Sequence, residues 1–150
     1  MSEISVQANE FLNQLFESSK LDLHSEVKQH DTESIFFIEG NDSDLLLAQG
    51  AEVLDALQHI LTQSFGRDLH DGTRFTCDTE NYRATREAEL RVMAKHAANK
   101  VRQNGKEFLF GPMNAVERRI IHTVLSEEPD VFTESVGEGA NRRLKVALKK

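Results

Sequence analysis

Arg118 and His122 stand four residues apart in the segment Pro112-Met113-Asn114-Ala115-Val116-Glu117-Arg118-Arg119-Ile120-Ile121-His122. On a helix that spacing stacks the two side chains on one face, where a guanidinium fork and an imidazole can together contact a single phosphate or an exposed base. Taken alone the pattern is common and is ordinarily surface charge or a satisfied histidine, so the surrounding elements have to carry the case. Asn114 can cap the helix, with Glu117 three residues on as in a capping box, while Val116, Ile120 and Val124 are expected to seek the core. Arg119 lies about 100° around the helix from Arg118 and is a second-rank candidate for the same site or for a salt bridge.

A second cationic group lies near the C-terminus. Arg143, Lys145 and Lys149 alternate with Leu144, Val146 and Leu148, so a strand there would pack one side and present charge on the other. Arg143 and Lys145 are therefore expected to extend the Arg118, His122 site as a cationic strip. Arg142, in the turn or on the opposite side, is a second-rank candidate. Arg91, Lys95 and Arg102 share a face of the preceding helix and could continue the path or serve solubility.

Other chemistries find little support. The six histidines, His24, His30, His59, His70, His96 and His122, are scattered without ligand spacing. Asp68, His70 and Asp71 form one close cluster, which reads better as a polar loop than as a metal site. Cys77 is the sole cysteine, which rules out an internal disulfide and any site needing two thiolates. The expectation is a binding protein with no catalytic set, no metal and no cofactor.

A net charge of -7 argues against binding a polyanion, but the average hides a division. Residues 1–80 hold sixteen Asp or Glu against Lys20, Lys28, Arg67 and Arg74, a net of -12; residues 81–150 hold nine acids and fourteen bases, a net of +5. Only the second half can attract phosphate strongly. No apolar run approaches the roughly 18 residues of a membrane span, and MSEISVQANE lacks the regions of a signal peptide, so no membrane insertion and a cytoplasmic location are expected.

The elements that must position these residues follow from periodicity. Phe11, Leu12, Leu15 and Phe16 predict a helix over 8–20, and residues 24–29 and 34–39 predict a hairpin turning at 31–33. Asp44 is expected to cap one helical turn through Leu47; a longer helix follows Gly50, and 73–78 forms a third strand with Phe75 and Cys77 on one side. A long helix over 81–104 stops at Asn104 and Gly105, a short strand covers 108–110, and strands over 131–136 and 142–148 flank a turn at 137–140.

That order up to residue 78 resembles a KH domain of the second type, helix, two strands, two helices and a strand. The turn between its paired helices should then be Ala48, Gln49, Gly50 and Ala51, a degenerate loop. The Gly-x-x-Gly of KH domains has lost both signature glycines here, and Asp42, Asp44, Glu52 and Asp55 surround it where a phosphate needs cations. The later block, GPMNAVERRIIH with VFTESVGEGANRRLKVAL, resembles the R-3-H domain, named for an Arg and a His separated by three residues. With ANEFLNQLFESSKLD, EVLDALQHIL and YRATREAEL in the same order, residues 8–148 resemble the KH plus R-3-H portion of the bacterial Jag (SpoIIIJ-associated) family.

The resemblance implies an α+β fold of two small lobes: a degenerate KH-like lobe over 1–80 and, joined by the long helix, an R-3-H lobe over 81–150 with a small sheet and two helices. It implies binding of single-stranded RNA or DNA, with Arg118 and His122 as signature residues. It also implies a candidate partner, a small KH-domain protein, and a link to bacterial cell elongation. The competing expectation is an adaptor whose acidic KH-like lobe recruits a protein, with vestigial nucleic-acid binding. Steep salt dependence distinguishes the first from the second.

Overall fold

The computed structural model describes residues 1–70 and 72–150, and the chain divides into two compact units, Met1–Tyr82 and Arg83–Lys150. Asp71, and with it part of the Asp68, His70, Asp71 cluster, lies outside the described residues.

In the first unit, α1 (Glu3–Ser18) begins five residues before the predicted start. Its buried stripe is Ser5, Ala8, Leu12 and Phe16, and the first two are small residues that carry little apolar signal. The Ser2 hydroxyl caps the helix by accepting from the Ser5 N–H at 3.1 Å. Buried Ser5 is tolerated because its hydroxyl bonds Ser34 at 2.8 Å. Strands β1 (His24–His30) and β2 (Glu33–Glu39) form the antiparallel hairpin, and β3 (Arg74–Asp78) adds parallel to β2, giving the order β1-β2-β3. Phe36 of β2 meets Phe75 of β3 edge to face, with centroids 5.0 Å apart, at the centre of a core shared with Leu12, Phe16, Leu54 and Leu61.

The paired helices form α2 (Ser43–Phe65), broken at the predicted loop. Ala48 is extended, and Gln49, Gly50 and Ala51 follow with φ of 53°, 71° and 63°. The start differs from expectation: the residue flanking the helix is Asp42, not Asp44, and the Asp42 carboxylate accepts from the Asp22 N–H at 2.6 Å instead of capping. A left-handed conformation costs a non-glycine residue roughly 1–2 kcal/mol. Gln49 is exposed, so Gln49→Gly should relieve that strain without losing packing. After the greater freedom of glycine in the unfolded chain is offset, a gain of about 0.5–1 kcal/mol is expected in urea unfolding; a loss would contradict the loop geometry.

In the second unit, α3 (Tyr82–Asn104, its first residue belonging to the first unit) buries Leu90, Ala94, Ala97, Ala98 and Val101 and ends at Gly105, whose φ is 67° and whose N–H donates to the Val101 carbonyl at 2.9 Å. Strands β4 (Phe108–Leu109), β5 (Val131–Val136) and β6 (Arg143–Leu148) make an antiparallel sheet with β6 central, in the order β4-β6-β5. Helix α4 (Ala115–Ser126) is capped as predicted, the Asn114 Oδ1 accepting from the Glu117 N–H at 2.9 Å.

The buried stripe of α4 departs from expectation at Val116, while Val124 is buried and Ile120 packs against the core as expected. The stripe is Glu117, Ile121, Val124 and Leu125, while Val116 is 62% exposed. The helix is rotated so that Glu117 and Leu125 lie inward and Val116 outward, with Ile120 half-buried at the edge of the core. Glu117 can face inward because Arg86 of α3 donates to its carboxylate through Nε at 2.9 Å. This rotation sets the direction in which Arg118 and His122 point.

Candidate nucleic-acid interface

Arg118 and His122 lie on the side of α4 that meets the β5–β6 hairpin. The imidazole Nδ1 of His122 shares a 2.5 Å hydrogen bond with the Thr133 hydroxyl of β5, which leaves Nε2 as the nitrogen for a ligand. The Arg118 Nη1 donates to the Met113 carbonyl, the Met113 N–H donates to the Arg142 carbonyl at 3.3 Å, and the Arg142 Nε donates to the Ser135 hydroxyl at 3.2 Å. Helix and hairpin are thus tied together on either side of a shallow pocket of about 370 Å³, lined by Ala115, Arg118, Arg119, His122, Thr133, Ser135 and Leu144. Among these residues there is no carboxylate. Cations and hydroxyls without a competing acid suit an anion.

The strand cations are placed otherwise than expected. Cross-strand pairing sets Thr133 opposite Val146 and Ser135 opposite Leu144, on the face the helices cover. Lys145 stands opposite Glu134, and Arg143 opposite Val136, on the other face of the sheet. Alternation correctly separates charge from core along β6, but the charged side is turned away from Arg118 and His122. Lys145 is also occupied: its ammonium is 3.1 Å from Glu134 and 3.4 Å from Glu107. Hydrogen bonds to Glu134 first and Glu107 second raise its pKa above the ordinary lysine value. Lys149 lies beyond the end of β6. Arg142, one residue before the strand, is the C-terminal cation that reaches the pocket side.

Two of the three cations on the basic face of α3 are likewise engaged. Arg91 pairs with Glu87 at 2.8 Å, and Arg102 pairs with Glu128 and Asp130, each at 2.6 Å. The Arg102 hydrogen bond holds the Asp130 carboxyl below its usual range. In the first unit, Ala48, Gln49 and Gly50 are exposed and Ala51 is buried, and Asp44 and Glu52 are exposed beside them. The loop offers no cationic side chain.

Thr133 and Ser135 were not legible as site residues in the sequence. The available signal was two hydroxyls at alternate positions of a strand, VFTESV, on the side where apolar residues would otherwise continue the core.

Residues 88–148 match the family model of the R-3-H domain, the segment that holds α4, the hairpin and the pocket. The chain is 34% identical over 146 residues to a protein of Clostridium symbiosum named RNA-binding protein KhpB, covering 96% of this chain and 66% of that one. The chain belongs to the Jag (KhpB) family. It is 32% identical over 117 residues to the protein of the same name from Bacillus subtilis, covering 77% of this chain and 56% of the relative. For the Lactiplantibacillus plantarum relative the identity is 29% over 106 residues, with coverage of 71% and 33%. The chain therefore spans between about a third and two thirds of the length of these family members. Among the described residues no helix is long and apolar enough to cross a membrane.

Proposed function

We propose that the chain binds single-stranded nucleic acid, RNA before DNA, and that it does so as a binding protein and not as an enzyme. The contact is with the phosphate backbone, made on the R-3-H unit by Arg118 and His122 with Arg119 at the rim. The observation that carries this is the acid-free pocket between α4 and the hairpin, in a unit of net positive charge. The relatives' name, RNA-binding protein, supports RNA as the ligand.

Arg143 and Lys145 have no part in this contact, and the Ala48–Ala51 loop is a poor phosphate clamp because exposed Asp44 and Glu52 flank it. The acidic first unit is better suited to meeting a protein, and a small KH-domain protein fits the family resemblance. On this reading the chain works in the cytoplasm. No aromatic side chain lines the pocket, so recognition is backbone-dominated and weakly selective for sequence.

Fluorescence anisotropy of labelled single-stranded RNA over a salt series tests the reading. The logarithm of the binding constant should fall linearly with the logarithm of salt concentration, by about 0.7 for each phosphate contacted. A duplex should bind less well, and unrelated single strands should agree within about a hundredfold. Absence of binding, or binding indifferent to salt, would move the assignment to a protein adaptor.

A further inference from the structure

We propose that the β5–β6 hairpin supplies the second half of the site, Ser135 and Arg142 joining Arg118 around one phosphate of a single strand while Thr133 and His122 hold the next. This rests on the nucleic-acid function proposed for the same pocket and adds to it the number of phosphates and the residues that share them.

The pocket has two ends along α4 and β5. At one, His122 and Thr133 share the hydrogen bond of 2.5 Å. At the other, Arg118 is bonded to the Met113 carbonyl, and Arg142 stands just outside the lining, its carbonyl accepting from Met113 at 3.3 Å and its Nε donating to the lining residue Ser135 at 3.2 Å. Along α4 the step from Arg118 to His122 is four residues, about 6 Å of rise. Along β5 the step from Thr133 to Ser135 is two residues, about 6.8 Å. The two rows therefore run with matched spacing, comparable to the step between neighbouring phosphates of an extended strand.

Chemistry fits this arrangement. Serine and threonine hydroxyls and guanidinium forks are common phosphate donors. With Nε held by Ser135, the Arg142 fork keeps its Nη groups for a ligand in a fixed direction, the preorganisation that lowers the entropic cost of binding. Arg143 is its natural control: the same residue type, adjacent in sequence, and on the other face of the sheet.

The test is anisotropy of a short fluorescein-labelled oligouridylate with the full chain and with Arg118→Ala, Arg142→Ala, Ser135→Ala and Arg143→Ala, each checked for fold by circular dichroism. Arg142→Ala should weaken binding about tenfold and make the salt slope shallower by about 0.7. Ser135→Ala should weaken it about threefold at an unchanged slope, and Arg143→Ala less than about twofold. Arg142→Lys, which keeps the charge and loses the fork, should fall between Arg142→Ala and the parent and decides the matter if the alanine variant fails to fold. Equal losses for Arg142→Ala and Arg143→Ala, or loss of binding in Arg118→Ala with none in Arg142→Ala, would overturn the hairpin's role while leaving the function intact. A parent chain that does not bind would overturn both.

Discussion

Replacing Arg118 and His122 together with alanine should lower affinity for single-stranded RNA by more than about a hundredfold. Each side chain offers hydrogen bonds to a charged oxygen, contacts that carry roughly 1.5–3 kcal/mol apiece, so the pair accounts for two or more decades of binding constant. The fold should survive. His122 is exposed, and its partner Thr133 is half-buried, so each can be resolvated when the bond is lost. Arg118 releases a carbonyl of Met113, which lies in the loop before α4 and is itself half-buried. Anisotropy with both single variants and the double variant closes a thermodynamic cycle, and a non-additive result is expected because the residues line one pocket. Unchanged affinity in the double variant, with a native circular dichroism spectrum, would remove the R-3-H pocket from the function.

The second large effect is on stability. Ile121 is fully buried on α4, one position before His122, and packs in a core with Leu90, Val124, Leu125 and Val146. Ile121→Ala should destabilise the second unit by about 3 kcal/mol, the transfer of the lost carbons plus the cavity they leave. In a unit of this size that corresponds to a fall in Tm of more than about 10 °C. Val116→Ala is the informative companion. A helix rotated as its apolar pattern suggests would bury Val116, but the residue is 62% exposed, so a change within about 0.5 kcal/mol is expected. Urea or thermal unfolding of the two variants reads the rotation of α4 directly. Comparable losses would mean that the helix presents a different face and that Arg118 and His122 point elsewhere.

Much of the molecule was legible in the sequence because the signals were local. Asn114 before Glu117 starts α4, and Gly105 ends α3 in the left-handed conformation that glycine tolerates. The apolar run Ile35 to Ile38 and the alternation of Phe75 and Cys77 with polar neighbours mark strands, and β2 buries Ser34, Phe36 and Ile38 on one side. The order of elements, the split of charge between halves and the Arg118, His122 pair followed from the same short-range patterns, together with a family resemblance spread over several blocks.

Tertiary structure decided which faces meet. Glu117 lies on the buried stripe of α4 because Arg86, thirty-one positions earlier, reaches its carboxylate, and an acid paired in the interior cannot be recognised from its neighbours in the chain. The same rotation brings His122 to Thr133. The period-two pattern of β6 separates Lys145 and Arg143 from Leu144 and Val146, but a strand has no means of stating which of its sides an incoming helix will cover. Pairing with β5 settled that Ser135 and Thr133 share the helix side while Lys145 joins Glu134 and Glu107 on the other. Sequence determined the elements and the signature residues, whose causes act within a turn or a few strand positions. The composition of the pocket depended on contacts between elements distant in the chain, so only the packed fold could assign it.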